Sequence, residues 1–133
     1  MAFIAHFHKD VSLNIGTNST IKFDTVVTNL GQGYDPDTGL FTAPFSGLYS
    51  FFFSIEHDNQ HDYIHLGLMA AGRYMCYSSV NGPSRSHYDE GTGGATAHPS
   101  KGETVFVQRY SGDYYIHDTV FSSFSGFLVS ADV

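Results

Sequence analysis

The stretch Leu48-Tyr49-Ser50-Phe51-Phe52-Phe53-Ser54-Ile55-Glu56 decides the fold class. Side chains alternate across a pleated strand, so Tyr49, Phe51, Phe53 and Ile55 share one face while Leu48, Ser50, Phe52 and Ser54 share the other. The first face is apolar throughout and is predicted to be deeply buried. Upstream, the run TIKFDTVVTN from Thr20 reads the same way, with Ile21, Phe23, Thr25 and Val27 on one side and Lys22, Asp24, Val26 and Thr28 on the other. Four further segments read as strands: AFIAHFH from Ala2, YIHLGLMAAG from Tyr63, ETVFVQRY from Glu103 and FSSFSGFLVS from Phe121. Turn-rich stretches separate them, at Gly31 to Gly39, Glu56 to Asp62, Asn81 to Gly94 and Pro99 to Gly102. No window of a dozen residues keeps apolar side chains at i, i+3, i+4 and i+7, so no long helix is expected. The chain reads as all-β, at the strand spacing of a sandwich or jelly roll.

Composition narrows the function. At 133 residues, one domain spanning 1–133 is expected. Hydrophobic residues make up 41% and charged residues 14%, which is apolar enough to fold and too weakly charged for disorder. Twelve Phe and nine Tyr without any Trp suit pleated strands. Thirteen acids against six bases leave a formal net charge of −7, which argues against nucleic acid or an anionic membrane surface as partner. No stretch approaches the roughly 20 apolar residues of a membrane span, so membrane insertion is not expected. Met1 to Asp10 lacks the basic start and apolar run of a signal peptide, whereas Asn18-Ser19-Thr20 is a sequon compatible with secretion. Cys76, the single cysteine, has no intrachain partner for a disulfide.

Motifs of catalysis are missing as spaced patterns: there is no G-x-S-x-G and no H-E-x-x-H, and the chain is not expected to be an enzyme. Among eight histidines, His6 and His8 alternate on a candidate strand and could share a metal ion. His57, His61 and His65 are spaced by four but span a loop and a strand, which fits ordinary hydrogen-bonding histidines better. Two loops mix carboxylate, amide, guanidinium and aromatic groups: Asp58, Asn59, Gln60 and Asp62 in one, Arg85, His87, Tyr88 and Asp89 in the other. Sugar hydroxyls need planar hydrogen-bonding partners and sugar C–H faces stack on tyrosine, so the mixture suits carbohydrate as well as a solvated loop. Tyr110, Asp113, Tyr114 and Tyr115 form another polar-aromatic cluster, suited to a subunit interface or a ligand.

The aromatic spacing resembles the complement C1q globular-head family. Its signature positions are met by Phe23, Asn29, Tyr34, Phe41, Gly47, Tyr49, Phe51 and Phe53. AFIAHF resembles that family's first strand, KGETVFV (Lys101 to Val107) its Gly-Asp-x-Val strand with Glu103 in place of the Asp, and SSFSGFLV its closing strand. The resemblance implies a ten-stranded jelly roll similar to tumour necrosis factor. It also implies a homotrimer with both termini on one side and signature aromatics in structural roles. Phe52 and Tyr110 are then candidates for the threefold interface. Some members bind calcium near the trimer apex, and the matching positions here are Asn81 and Asp89, one carboxylate fewer than the family's pair. No Gly-x-y repeat is present, which makes the chain similar to the stalkless secreted members of molluscs and other invertebrates, soluble lectin-like immune receptors.

The expected function is accordingly a secreted pattern-recognition lectin of innate immunity that binds glycans or microbial surface polysaccharide. Asp58, Asn59, Arg85, His87 and Tyr88 are the candidate ligand contacts, with Arg85 suited to pair bidentately with an acidic sugar. The alternatives are an extracellular metal-handling or biomineral-associated protein and a cytokine-like receptor ligand.

Overall fold

The computed structural model describes residues 1–8, 11–12, 19–58, 64–80, 88–112, 115–116 and 122–133. Of 11–12, 57–58, 80, 88–90, 112 and 115–116 it describes the backbone. In chain order the strands are β1 (Ala2–His6), β2 (Val11–Ser12), β3 (Ser19–Thr20), β4 (Thr25–Leu30), β5 (Tyr34–Asp35), β6 (Leu40–Thr42), β7 (Gly47–Asp58), β8 (Ile64–Ala70), β9 (Arg73–Val80), β10 (Tyr88–Ala97), β11 (Thr104–Gly112), β12 (Tyr115–Ile116) and β13 (Ser123–Ala131). They form a five-stranded sheet in the order β10-β7-β13-β1-β4 and a six-stranded sheet in the order β5-β6-β11-β8-β9 with β3 also on β11. A β2–β12 ribbon accompanies them. This is the expected all-β jelly-roll sandwich, without a helix among the described residues.

The predicted inward face of β7 lies in the core, with Tyr49, Phe51, Phe53 and Ile55 no more than 2% exposed. On its other face Leu48 and Phe52 are 37% and 48% exposed, as alternation requires. The core is an aromatic stack. Phe3 lies parallel to Tyr34 and near-parallel to Phe41 at 5.1 and 5.0 Å, and meets Phe124 edge-on at 4.9 Å.

The signature residues act as locks between neighbouring segments, four to eleven positions apart in sequence. The Tyr34 hydroxyl donates to the Phe23 carbonyl at 2.9 Å and accepts from the Phe23 N–H at 3.0 Å. The Asn29 amide does the same for the Tyr34 backbone, donating at 2.8 Å and accepting at 3.1 Å. Tyr49 closes the turn before its own strand by donating to the Phe45 carbonyl at 2.8 Å. Gly47 is required by a close approach, because a Cβ there would stand 2.5 Å from the Ser130 carbonyl oxygen.

The structure departs from the expected strand pattern in five places. The run from Thr20 is two strands, since β3 pairs with β11 in one sheet and β4 with β1 in the other. Ile21 and Phe23 are buried between them, but Val27 is 62% exposed. The cause is a bulge: Ile4 pairs with Thr28 and Ala5 with Val26, so Val27 is the extra residue and the alternation slips by one. Arg73–Val80, left unassigned by its sequence, forms β9. The glycine-rich half of Asn81 to Gly94 is strand β10, not turn. Its glycines make room for aromatic rings, since a Cβ at Gly93 would lie 2.6 Å from the Phe53 ring. Finally, Tyr34–Asp35 forms strand β5 within the expected turn, and β7 runs on to Asp58.

Strand register fixes which groups share an end of the sandwich. Gly47 pairs with Ala131, Leu128 donates its N–H to the Met1 carbonyl, and Asp132 donates to the Ser46 carbonyl. Both described termini are therefore at one end, as the resemblance implied. Asp58 and Tyr88 lie at the other.

Candidate functional site

Two of the five expected ligand contacts lie among the described residues, both at the end remote from the termini. β7 and β10 reach it as an antiparallel ribbon in which Asp58 pairs with Tyr88, Asp89 with His57 and Glu90 with Glu56. Two of the candidate ligand contacts, Asp58 and Tyr88, thus come from strands thirty positions apart in sequence and stand directly opposite each other. Asn59, Arg85, His87 and Asn81 lie outside the described residues. Asn81 directly follows β9, whose last residue Val80 pairs with Ile64 at the start of β8. Among the described residues no group of three His, Cys, Asp or Glu is placed to hold a metal ion.

Behind this ribbon the interior turns polar. Glu56 and Ser122 are buried, with the Ser122 hydroxyl accepting from the Glu56 N–H at 2.9 Å. Arg109, on β11, is 3% exposed. Buried charge is costly unless it is partnered, so its placement under the loop-bearing end marks a region specified by more than apolar packing.

The histidines divide rather than gather. His8 pairs through Nδ1 with the Asp24 carboxylate at 2.8 Å, which takes it away from a site shared with His6. His65 Nδ1 lies 3.0 Å from the Ser111 hydroxyl. At the terminal end, His98 Nε2 meets the Asp132 carboxylate at 2.8 Å. His98 also lines a cavity of about 250 Å³ with Ala70, Arg73, Met75, Ala97 and Pro99. Burial pushes the Cys76 thiol up, against hydrogen bonds to the backbone of Leu68 and Gly94 that pull it down. The protonated thiol is a poor nucleophile.

Two surfaces escaped the sequence reading in part. The outer face of the five-stranded sheet carries Leu48, Phe52, Phe127 and Val129, all exposed. Of these only Phe52 stood out as an interface candidate. On the six-stranded sheet, Tyr110 joins Tyr74 and Tyr77, two residues of the unassigned β9, in an aromatic cluster with centroids 4.8 to 5.7 Å apart. Assigning β9 would have found it.

A two-sheet sandwich with the chain order described, both described termini at one end and the loop-bearing strand ends at the other is a jelly roll of the tumour necrosis factor kind. The C1q domain model matches residues 2–129, and the chain belongs to that family. Complement C1q tumor necrosis factor-related protein 3 of Mus musculus is 32% identical over 112 residues, 84% of this chain and 45% of that protein. The Collagen alpha-1(X) chain of Mus musculus is 32% identical over 113 residues, 83% of this chain and 16% of that one. The chain thus spans less than half the length of these relatives. Among solved structures, the globular domain of zebrafish complement 1qA protein superposes with a TM-score of 0.79 at 19% identity, covering 98% of both chains. Eiger TNF from S. frugiperda gives 0.71 at 15% identity, covering 100% of this chain and 96% of that one.

Proposed function

We propose that the 133 residues form one C1q-like globular domain of a secreted, non-enzymatic recognition protein of innate immunity, which binds glycans through loops at one end of a homotrimer. The observation that carries the reading is the register of β7 and β10. It pairs the backbone of Asp58 with that of Tyr88 across two strands, which supports a ligand site at that end. Membership of the C1q family and the exposed apolar face of the five-stranded sheet support the trimer. Weak contacts repeated three times over a repetitive surface gain about 10²- to 10⁴-fold in avidity without any new contact. No helix of the described residues is long and apolar enough to cross a membrane.

The test compares Arg85→Ala and Asp58→Ala with the exposed control Lys22→Ala for binding to immobilised microbial polysaccharide, after light scattering confirms each as a trimer. Loss in both loop variants and retention in the control is the expected result. Full binding by both loop variants would refute the location. The similarity to a tumor necrosis factor-related protein favours a second reading, a receptor ligand, and a chain that binds cells through a protein but no glycan on an array would establish it.

A further inference from the structure

The β11-β8-β9 part of the six-stranded sheet is aromatic and free of carboxylates in an otherwise acidic chain, with Arg73 at the start of β9 as its exposed charge among the described residues. Strands β8, β9 and β11 contain no Asp or Glu, while the chain has a formal net charge of −7. Among the described residues Tyr77, 61% exposed, is the one large exposed apolar side chain on these strands. Its ring lies 4.8 Å from that of Tyr74 at an interplanar angle of 34°, and 5.4 Å from that of Tyr110 at 82°.

Three irregularities build this cluster. Residues three apart on a regular strand point to opposite faces, yet Tyr74 and Tyr77 share one. Met75 is the extra residue of a bulge, because Leu68 pairs with Cys76 and Met69 with Tyr74. Tyr110 is the extra residue of a second bulge, between the pairs Arg109–Leu66 and Ser111–His65. Between them Gly67, opposite both Tyr77 and Gln108, leaves the floor open: a Cβ there would stand 2.5 Å from the Tyr74 ring. Hydrogen bonds then hold the rings. The Tyr74 hydroxyl donates to Gln108 Oε1 at 2.7 Å, and His65, engaged by Ser111, lies 5.4 Å from Tyr110.

We propose that this tyrosine platform is a second binding site, for a neutral pyranose that stacks its C–H face on Tyr77 and hydrogen-bonds to the polar groups around it. Size argues for one sugar ring, since a stable protein interface needs about 800 Å² from each partner and one exposed ring supplies a small part of that. Charge argues for a neutral ligand. A cation on the rings would find no carboxylate on β8, β9 or β11; of the two arginines there, Arg109 is buried and the exposed Arg73 lines the cavity beside Met75, Ala97 and His98. Polarity argues for hydroxyls, because Ser79 and His65 stand opposite each other two pairs beyond Tyr77 and Gly67, with Gln108 on the next strand. The platform shares its ligand class with the loop site but none of its residues.

The probe is cellohexaose, a neutral glucan with C–H groups on both ring faces, titrated into the whole protein with ¹³C-labelled tyrosines and followed by NMR. Expected are a shift of the Tyr77 signals and saturation transfer to the glucan C–H protons. Tyr77→Ala should weaken binding at least about tenfold, whereas Tyr77→Phe, which keeps the ring, should stay within about threefold. Wild-type binding by Tyr77→Ala, a Tyr77→Phe variant as weak as Tyr77→Ala, or no binding by the unaltered protein would each overturn the platform. So would tetramethylammonium moving Tyr77 where cellohexaose does not. If Arg85→Ala removes cellohexaose binding and Tyr77→Ala does not, the loop site stands and the platform falls; the reverse result leaves the platform standing and takes this glucan from the loops.

Discussion

The two sheets present opposite surfaces to the outside. The five-stranded sheet exposes Leu48, Phe52, Phe127 and Val129, and the six-stranded sheet exposes Tyr77 among hydroxyl, amide and imidazole groups. Both cover the same aromatic core, so the difference does not arise from what they bury. It arises from what each meets outside: a contiguous apolar face is costly in water until another protein covers it, whereas a single ring ringed by polar groups is stable uncovered. The comparison supports the proposals made above, self-assembly through one sheet and small-ligand contact on the other, and variable chemistry suits loops better than strands.

The largest expected effect falls on the layer that both faces share. Phe51 is 2% exposed and touches Phe3, Phe41, Tyr49 and Phe124. Truncating a buried Phe to Ala costs about 3–5 kcal/mol, comparable to the total stability of a small domain. Phe51→Ala should therefore give no soluble protein. Recovery of folded variant with unchanged melting would show that the core does not depend on this strand.

The second effect separates the faces. Phe52→Asp places a charge on the outer face of the five-stranded sheet, where the side chain is 48% exposed in the single chain. An uncovered Phe52 would tolerate the change; one desolvated in a trimer would not. The expected outcome is a folded monomer by light scattering with unaltered circular dichroism. Tyr77→Asp, the matched change on the other sheet, should leave the trimer intact. A trimeric Phe52→Asp variant would remove the assignment of this face.

How much of this was legible in sequence depended on whether period two survived. β7 could be read because each alternate residue from Tyr49 to Ile55 is large and apolar, and Tyr34 and Asn29 stood out through the family resemblance, whereas the hydrogen bonds they make did not. β9 could not, because the bulge at Met75 breaks its alternation, and β10 resembled a turn because glycines there serve close approach of rings instead of chain reversal. Val27 went to the wrong face for the same reason as β9. The loop site was named from composition alone, and the pairing of Asp58 with Tyr88 is a long-range fact that no local pattern carries. Tyr77 stayed hidden because its significance depends on Gly67 and Tyr110, which come from other strands.

The third effect probes a lock beneath the six-stranded sheet. Burial raises the Tyr34 hydroxyl well above its ordinary value of 10.0, against the opposing hydrogen bond with Phe23. With the folded value above the unfolded one, the native state keeps a proton that the unfolded state releases, so its contribution is intact below pH 10 and declines as pH rises beyond it. Tyr34→Phe should cost about 1–3 kcal/mol at neutral pH, because the Phe23 N–H and carbonyl lose a buried partner. The variant should also lose less stability than the parent between neutral pH and pH 11 in denaturant titrations. An equal alkaline loss in both would show that Tyr34 is not the group responsible.

The smallest effect distinguishes a platform from mere packing. In Gly67→Ala the new methyl group would meet the Tyr74 ring, which can tilt outward because it lies at the sheet surface. Overpacking in a core typically costs about 1–3 kcal/mol, and relief at a surface should bring the penalty below about 1 kcal/mol. Stability alone would then hardly register the change. What should register is geometry. Tilting Tyr74 breaks its 2.7 Å hydrogen bond to Gln108 and its contact with Tyr77. It also alters the burial and the neighbouring tyrosines that hold the Tyr74 hydroxyl above its ordinary value. Ultraviolet titration of Gly67→Ala should therefore show Tyr74 ionising at lower pH than in the parent, with the trimer and the melting temperature nearly unchanged. An unshifted titration would mean that the ring does not rest on Gly67, and the two sheets would then differ in exposed area without differing in construction.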